Sequence, residues 1–204
     1  MPRQNRVTPF GEIVAHPARG ALMGNRGCLV DEQGQLGSRR WAHQAWVACR
    51  LSFRGWHRAI MQPGVWTELF FTDEAVALAA GHRPCGMCRH ADYIAFQHAF
   101  GLARRELGER PSPAAMNRIL HADRVASRSR AQITHRADLS SLPEEVFFTL
   151  PGAPEALVKR GGKVLAWSLD GYRPLERALS GDVIVLTPRI TVDVIRAGYR
   201  PNRT

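Results

Sequence analysis

Long apolar runs are missing from this 204-residue chain. Nothing in it approaches the ~20 consecutive apolar residues that a membrane span needs. An apolar signal region is missing too, since Met1-Pro2-Arg3-Gln4-Asn5-Arg6 leads straight into Val7-Thr8-Pro9-Phe10. That start predicts a cytoplasmic protein with no membrane partner. No P-loop is present, no G-x-G-x-x-G follows a strand, and no G-x-S-x-G occurs, which removes support for nucleotide hydrolysis and serine chemistry. Lysine is nearly absent, represented by Lys159 and Lys163 alone, and cysteine is limited to Cys28, Cys49, Cys85 and Cys88. Without a secretion signal, disulfides are disfavoured, so a close cysteine pair reads as metal or redox chemistry.

What the chain does have is arginine. Basic residues number 28 against 18 acidic ones, a formal charge of +10, and 45% of the residues are apolar, a normal share for a globular core. Arginine in place of lysine is what a GC-rich genome encodes, but codon usage does not produce the surplus of charge. That surplus points to a polyanion partner, because the planar guanidinium binds phosphate and base edges bidentately.

The pattern along the chain predicts an α+β protein. Residues 1–108 form a zinc-binding region of short strands and helices, 109–126 a linker and helix, and 127–204 a β-rich region with a small antiparallel sheet or partial barrel, packed with the first as one unit. Within the first region, strands are expected at Trp46–Phe53 and Trp66–Phe71, joined as a hairpin across Gln62-Pro63-Gly64. Thr72-Asp73-Glu74 opens a helix that Gly81 stops, and Ala91 to Leu107 continues with Tyr93, Phe96 and Phe100 on one face. Beyond the Gly108–Pro113 linker comes a helix from Ala114 to Val125. Strands follow at 132–135, 146–150, 156–159, 163–167 and 182–186, with Gly161-Gly162 as a hairpin turn. A short helix, Thr191 to Ala197, closes the chain. Ala80-Gly81-His82-Arg83-Pro84 is echoed by Ala197-Gly198-Tyr199-Arg200-Pro201, which reads as shared helix-ending grammar rather than a duplicated site.

The segment richest in chemistry is Arg83-Pro84-Cys85-Gly86-Met87-Cys88-Arg89. Two thiolates two residues apart reach one tetrahedral zinc, Gly86 is suited to a tight turn, and flanking arginines favour the thiolate. A redox dithiol and a pair of buried small side chains are the other readings of C-x-x-C. The P-C-x-x-C half of the zinc nucleobase deaminase signature is also satisfied. Its H-x-E half is not, because His16, His43 and His57 are followed by Pro-Ala, Gln-Ala and Arg-Ala.

Taken with the strand and alanine-rich helix before it, Ala80-Gly81-His82-Arg83-Pro84-Cys85-Gly86-Met87-Cys88-Arg89 resembles the second half of the zinc-binding domain of Ada-type DNA alkylation-repair proteins. The likeness covers roughly residues 67–89. It implies Cys85 and Cys88 as zinc ligands and DNA as the partner. Cys49, on the preceding strand, corresponds to the family's first cysteine, which makes it the residue to accept an alkyl group if that chemistry is retained. The family's C-x-x-x-C is broken, because Phe53 stands four residues after Cys49. Cys28 is then the fourth metal ligand to consider, with His82, His57 or His90 as replacements.

Arginine and tryptophan concentrate around this knuckle. Arg39, Arg40, Arg50, Arg54, Trp56, Arg58, Arg83 and Arg89 are the expected nucleic-acid contacts, phosphates on the guanidiniums and a base on the indole. Trp46 and Trp66 suit the core of the hairpin. The sequence thus predicts a zinc protein that binds nucleic acid, DNA before RNA. A repair or DNA-processing enzyme is the alternative, using an alkyl-accepting Cys49 or a nuclease metal near His90, Asp92 and His98 or near His121, Asp123 and His135. A protein-interaction module with an acidic partner is the third reading.

Overall fold

The computed structural model describes residues 1–56 and 59–202 and is α+β, with two six-stranded sheets and four α-helices. The first sheet is built from β1 (Gln4–Val7), β2 (Ile13–Ala15), β3 (Leu22–Asn25), β4 (Val47–Arg50), β5 (Leu69–Phe71) and β6 (Arg83–Pro84), in the order β2-β1-β5-β3-β4-β6. The expected hairpin of β4 with β5 does not form. Instead β3 lies between them, pairing Met23 with Cys49 on one side and with Phe70 on the other. Gly24 is what lets it in: a Cβ there would lie 2.3 Å from the Val47 carbonyl oxygen and 2.9 Å from the Phe71 ring.

The second sheet contains β7 (His135–Asp138), β8 (Phe147–Thr149), β9 (Leu157–Arg160), β10 (Lys163–Ser168), β11 (Gly171–Pro174) and β12 (Asp182–Val185). Its order is β11-β10-β9-β8-β12-β7, and every neighbouring pair is antiparallel. Gly161 and Gly162, both at positive φ, form the two-residue turn between β9 and β10, the backbone that such hairpins demand.

Helix α1 (Glu74–Ala79) is wholly buried, and its N-terminus is capped by the Asp73 carboxylate, which accepts from the Val76 N–H at 3.0 Å. It shares one apolar cluster with Leu22, Leu69 and Phe71 of the first sheet and Phe147 and Val158 of the second. Asp73 also binds the second sheet directly, through Arg160 at 2.8 Å and the Tyr172 hydroxyl at 2.7 Å. Helix α2 (His90–Ala103) buries Tyr93, Phe96 and Phe100, as its spacing predicts. The 108–113 segment folds back on α2: Gly101 lets the Gly108 and Glu109 carbonyls approach, and the Gln97 amide donates to the Pro111 carbonyl at 2.9 Å. Helices α3 (Pro113–Arg124) and α4 (Arg189–Arg196) complete the second core.

The repeated pentapeptide ends two helices in the same way. His82 N–H donates to Ala77 O at 2.8 Å and Tyr199 N–H to Val194 O at 3.2 Å, each following a glycine at positive φ. Both helices therefore close with the Schellman pattern, and both place an aromatic ring, His82 or Tyr199, in the interior. No helix of the described residues is long and apolar enough to cross a membrane.

Candidate metal centre

Strand register brings the thiols together. β4 and β6 run parallel, with Val47 opposite Arg83 and Ala48 opposite Pro84, so Cys49 and Cys85 follow side by side. The Cys85 N–H donates to the Ala48 carbonyl at 3.0 Å, and Arg89 N–H closes the knuckle on the Cys85 carbonyl at 3.1 Å. The sulfurs of Cys49, Cys85 and Cys88 lie within 4.8 Å of one another. A tetrahedral zinc with ~2.3 Å bonds separates its sulfurs by about 3.8 Å, so the three thiols fit that ion as a donor set. The Arg50 N–H donates to the Cys88 sulfur at 3.4 Å, a contact suited to a thiolate acceptor. Gly86 is not in the left-handed region, and a Cβ there would touch Tyr93 at an ordinary 3.6 Å. The knuckle turn does not depend on glycine at this position.

Hydrogen bonds from Cys49 and Cys88, helped by the Cys88 and Met87 backbone N–H groups, hold the Cys85 thiol far below its usual range. Hydrogen bonding to Cys85 and Cys88, together with burial, pushes Cys49 up. For Cys88 the Cys49 thiol favours ionisation, but Cys85 and burial outweigh it and the pKa rises. Of the three thiols Cys85 is therefore the one favoured to ionise, and a divalent ion would favour the thiolate at all three.

Cys28 is not part of this group. It lies past the far end of β3, five residues beyond Met23, the partner of Cys49, and its thiol faces the Val30 carbonyl at 3.8 Å. Of the histidines weighed as substitutes, His82 is buried between Trp46 and Phe71, His90 is exposed with Nδ1 at 3.0 Å from the Gly86 carbonyl, and His57 lies outside the described residues. Neither nuclease cluster assembles. Among the described residues the three cysteines form the only group of three or more such ligands sharing a site. His121 is instead hydrogen-bonded to Arg124 at 2.9 Å, and Asp123 accepts from the Ile190 N–H at 2.6 Å, at the start of α4.

The three cysteines form part of the wall of a cavity of about 750 Å³ on the outer face of the first sheet. Its floor follows the strand register: Arg6 opposite Phe70, Phe70 opposite Met23, Met23 opposite Cys49. Arg3, Arg6, Arg19 and Arg50 supply its positive charge, and Phe53, Trp56, Trp66 and Phe70 its rings. Arg3 is tied to the Ile60 carbonyl and Arg6 to Asn5 and the Ala18 carbonyl, whereas Arg19 and Arg50 are exposed and make no side-chain hydrogen bond or ion pair among the described residues. Trp56 is 51% exposed, its edge against Phe53. Apart from the thiols, Glu68 is the one acid of the lining. It is 1% exposed, one carboxylate oxygen accepts from the Met61 N–H at 2.7 Å, and the other has no partner among the described residues.

The expected arginine surface divides accordingly. Arg50 and Trp56 line the cavity, and Arg54 stacks beside them over Phe53 at 5.1 Å. Arg39 and Arg40 are exposed on a different loop, and Arg58 lies outside the described residues. Arg83 and Arg89 are not contact residues at all, being 6% and 3% exposed. Arg83 donates to Asn117 at 2.9 Å, and Arg89 is ion-paired to Glu74 at 2.6 Å and Asp92 at 2.9 Å. Burial lowers the Arg83 pKa, and Tyr93, Cys85 and Cys49 oppose that shift, so this buried arginine still interacts with the thiols. Trp46 is core, as expected. Sequence reasoning missed Arg3, Arg6, Arg19, Glu68 and Phe70; β5 brings Phe70 in beside β3, and the parallel β1–β5 pairing then brings Arg6 opposite Phe70.

No protein-family profile, curated protein or solved structure matches the chain.

Proposed function

We propose that this protein holds zinc through Cys49, Cys85 and Cys88 and binds nucleic acid over the adjoining cavity. The observation that carries the reading is the joint placement of the three thiols and four arginines on one cavity wall. Three thiolates and Glu68 leave that lining with surplus positive charge once a divalent ion is bound. Arg19 and Arg50, free of partners among the described residues, suit phosphates, and the half-exposed Trp56 suits an unstacked base, a contact worth roughly 1–3 kcal/mol. The likeness of residues 67–89 to Ada-type domains favours DNA, and a reducing compartment such as the cytoplasm keeps the thiols available. The zinc ties β4, β6 and the start of α2 together and so fixes Arg50 beside the cavity.

The test is anisotropy of a labelled single-stranded oligonucleotide across a salt series with zinc-loaded protein. Binding should weaken with salt, and Arg50→Ala should lower the log–log slope by about 0.7, one phosphate contact. Salt-independent binding, or no binding beside salt-sensitive capture of an acidic protein, would remove the nucleic-acid reading and leave the interaction module.

A second reading, a DNA-processing enzyme, is favoured by one specific observation: the site offers three protein thiols rather than four, and the same cavity is lined by a buried carboxylate, Glu68, one of whose oxygens has no partner among the described residues. Zinc with three protein ligands keeps an exchangeable position and supplies Lewis acidity there. Glu68, buried in the wall of the same cavity, is the carboxylate such a reaction would use. Metal-dependent turnover of DNA that Glu68→Gln abolishes while zinc content stays full would promote this reading. Single-turnover alkylation of Cys49 by a methylated DNA backbone would assign the repair chemistry instead.

A further inference from the structure

A second positively charged site lies at the end of the first sheet, apart from the cysteines, and neither of its buried guanidiniums has a carboxylate partner among the described residues. Arg26 and Arg124 stack on the indole of Trp46, their guanidinium carbons 4.2 Å and 3.7 Å from the ring centre. Both are 2% exposed. Their hydrogen bonds go to neutral acceptors only. Arg26 donates to the Gly11 carbonyl at 3.0 Å and to His82 Nε2 at 3.4 Å, and Arg124 to the Gly81 and Gln44 carbonyls, each at 2.8 Å, and to His121 Nδ1 at 2.9 Å. Among the described residues no carboxylate forms an ion pair with either, and Arg26 Nη2 and Arg124 Nε are buried without a hydrogen-bond partner.

The rest of the chain treats buried arginines differently. Arg89 and Arg160 each hold two carboxylates. The charges that lower the Arg26 and Arg124 pKa values are positive. Burial and then Arg40 push the Arg26 pKa down to about 9, and burial, Arg26 and Arg83 push Arg124 down. Burying two like charges without a counter-ion costs more than cation–π contact with one indole returns. Beside them is a depression of about 290 Å³, lined by Arg26 and Arg124 together with Arg40 and Arg130, both exposed, and by one acid, the exposed Glu12, so that four guanidiniums face a single carboxylate. That volume holds an oxyanion with a few waters, each water taking ~30 Å³.

We propose that this depression is an oxyanion site that takes a phosphate group, with Arg26 and Arg124 as its base and Arg40 and Arg130 at its rim. A phosphate dianion neutralises both buried guanidiniums, and the guanidinium fork matches its oxygens. The group has two sources, free phosphate or the end of a phosphorylated strand. The inference does not rest on the zinc reading, because none of these residues borders the cysteine cavity.

The test uses the full chain at constant ionic strength, with inorganic phosphate exchanged for chloride. The thermal midpoint should rise saturably with phosphate. Arg40→Ala and Arg130→Ala combined should weaken the phosphate affinity at least tenfold. The Arg40→Ala midpoint without phosphate should stay level or rise, because a like charge leaves the neighbourhood of Arg26. A purely structural role for these arginines predicts no change in the phosphate response. A 5′-phosphorylated oligonucleotide is then compared with its 5′-hydroxyl twin. A rise with phosphate alone, lost in the rim double variant, assigns the free ion, and a preference for the phosphorylated strand, lost in the same variant, assigns the strand end. A midpoint indifferent to both ligands, or an equal response in the double variant, overturns the proposal.

Discussion

Replacing Arg89 by alanine tests how the metal knuckle is held. Its guanidinium is 3% exposed and spans two carboxylates, Glu74 at 2.6 Å and Asp92 at 2.9 Å. Asp92 is partly solvated, so losing its partner costs little. Glu74 is 1% exposed and would keep only the Tyr199 hydroxyl at 2.5 Å and the Asn202 N–H at 2.7 Å. Breaking a buried pair by removing one member costs ~3–5 kcal/mol. The two remaining hydrogen bonds place Arg89→Ala toward the lower end, about 3 kcal/mol. With a urea dependence of roughly 2 kcal/mol per molar, the unfolding midpoint should fall by about 1.5 M. Zinc affinity should fall with it, since Arg89 adjoins Cys88 and begins α2. Arg89→Met with Glu74→Gln should be less destabilised than Arg89→Ala, because no uncompensated charge stays inside. A loss below 1 kcal/mol for Arg89→Ala, or a double variant as unstable as the sum of its singles, would show that the pair is not what holds the knuckle.

Metal analysis should find full zinc in Cys28→Ser and a large loss in Cys49→Ser, Cys85→Ser and Cys88→Ser, with the opposite ranking for Cys28 and Cys49 defeating the assignment. Gly24→Ala drives a Cβ into the Val47 carbonyl and should destabilise the fold by about 1–3 kcal/mol and loosen zinc, because β4 carries Cys49; an unchanged denaturation midpoint would refute the β3 insertion. His82 is fully buried, and burial followed by the Arg26 and Arg124 charges sets its pKa well below 6.5. The unfolded chain therefore takes that proton first, so the stability is complete above pH ~6.5 and drains as pH falls, by up to about 1.4 kcal/mol per unit. His82→Gln should flatten that part of the pH profile, and an unaltered slope would mean that another group titrates there.

Local signals carried much of this fold. The Asp73 cap, the Gly81 stop, the Gly161-Gly162 turn and the apolar face of α2 depend on neighbours within a few residues, and each stands where its residues indicate. The 132–135 strand did not form as read: β7 begins at His135, where it can pair with β12. β11 and the two-residue β6 have no local signature and exist because partners lie beside them. The same division runs through the candidate site. Cys85 and Cys88 are legible from spacing, and Cys49 becomes their neighbour through parallel register. Arg83 and Arg89 look like an exposed basic flank in the sequence, and only Asn117 on α3 and Glu74 on α1 show why they are inside.

Glu74 has a consequence for how the chain matures. Its carboxylate collects donors from Arg89, Tyr199 and Asn202, and the last two leave the ribosome more than a hundred residues after the first. A nascent chain that has already emerged past the cysteines still lacks two of the groups that quiet this charge. The metal-bearing half therefore waits, incompletely settled, for the carboxy-terminal segment to arrive, and cutting the gene between the halves would leave that charge short of donors for good.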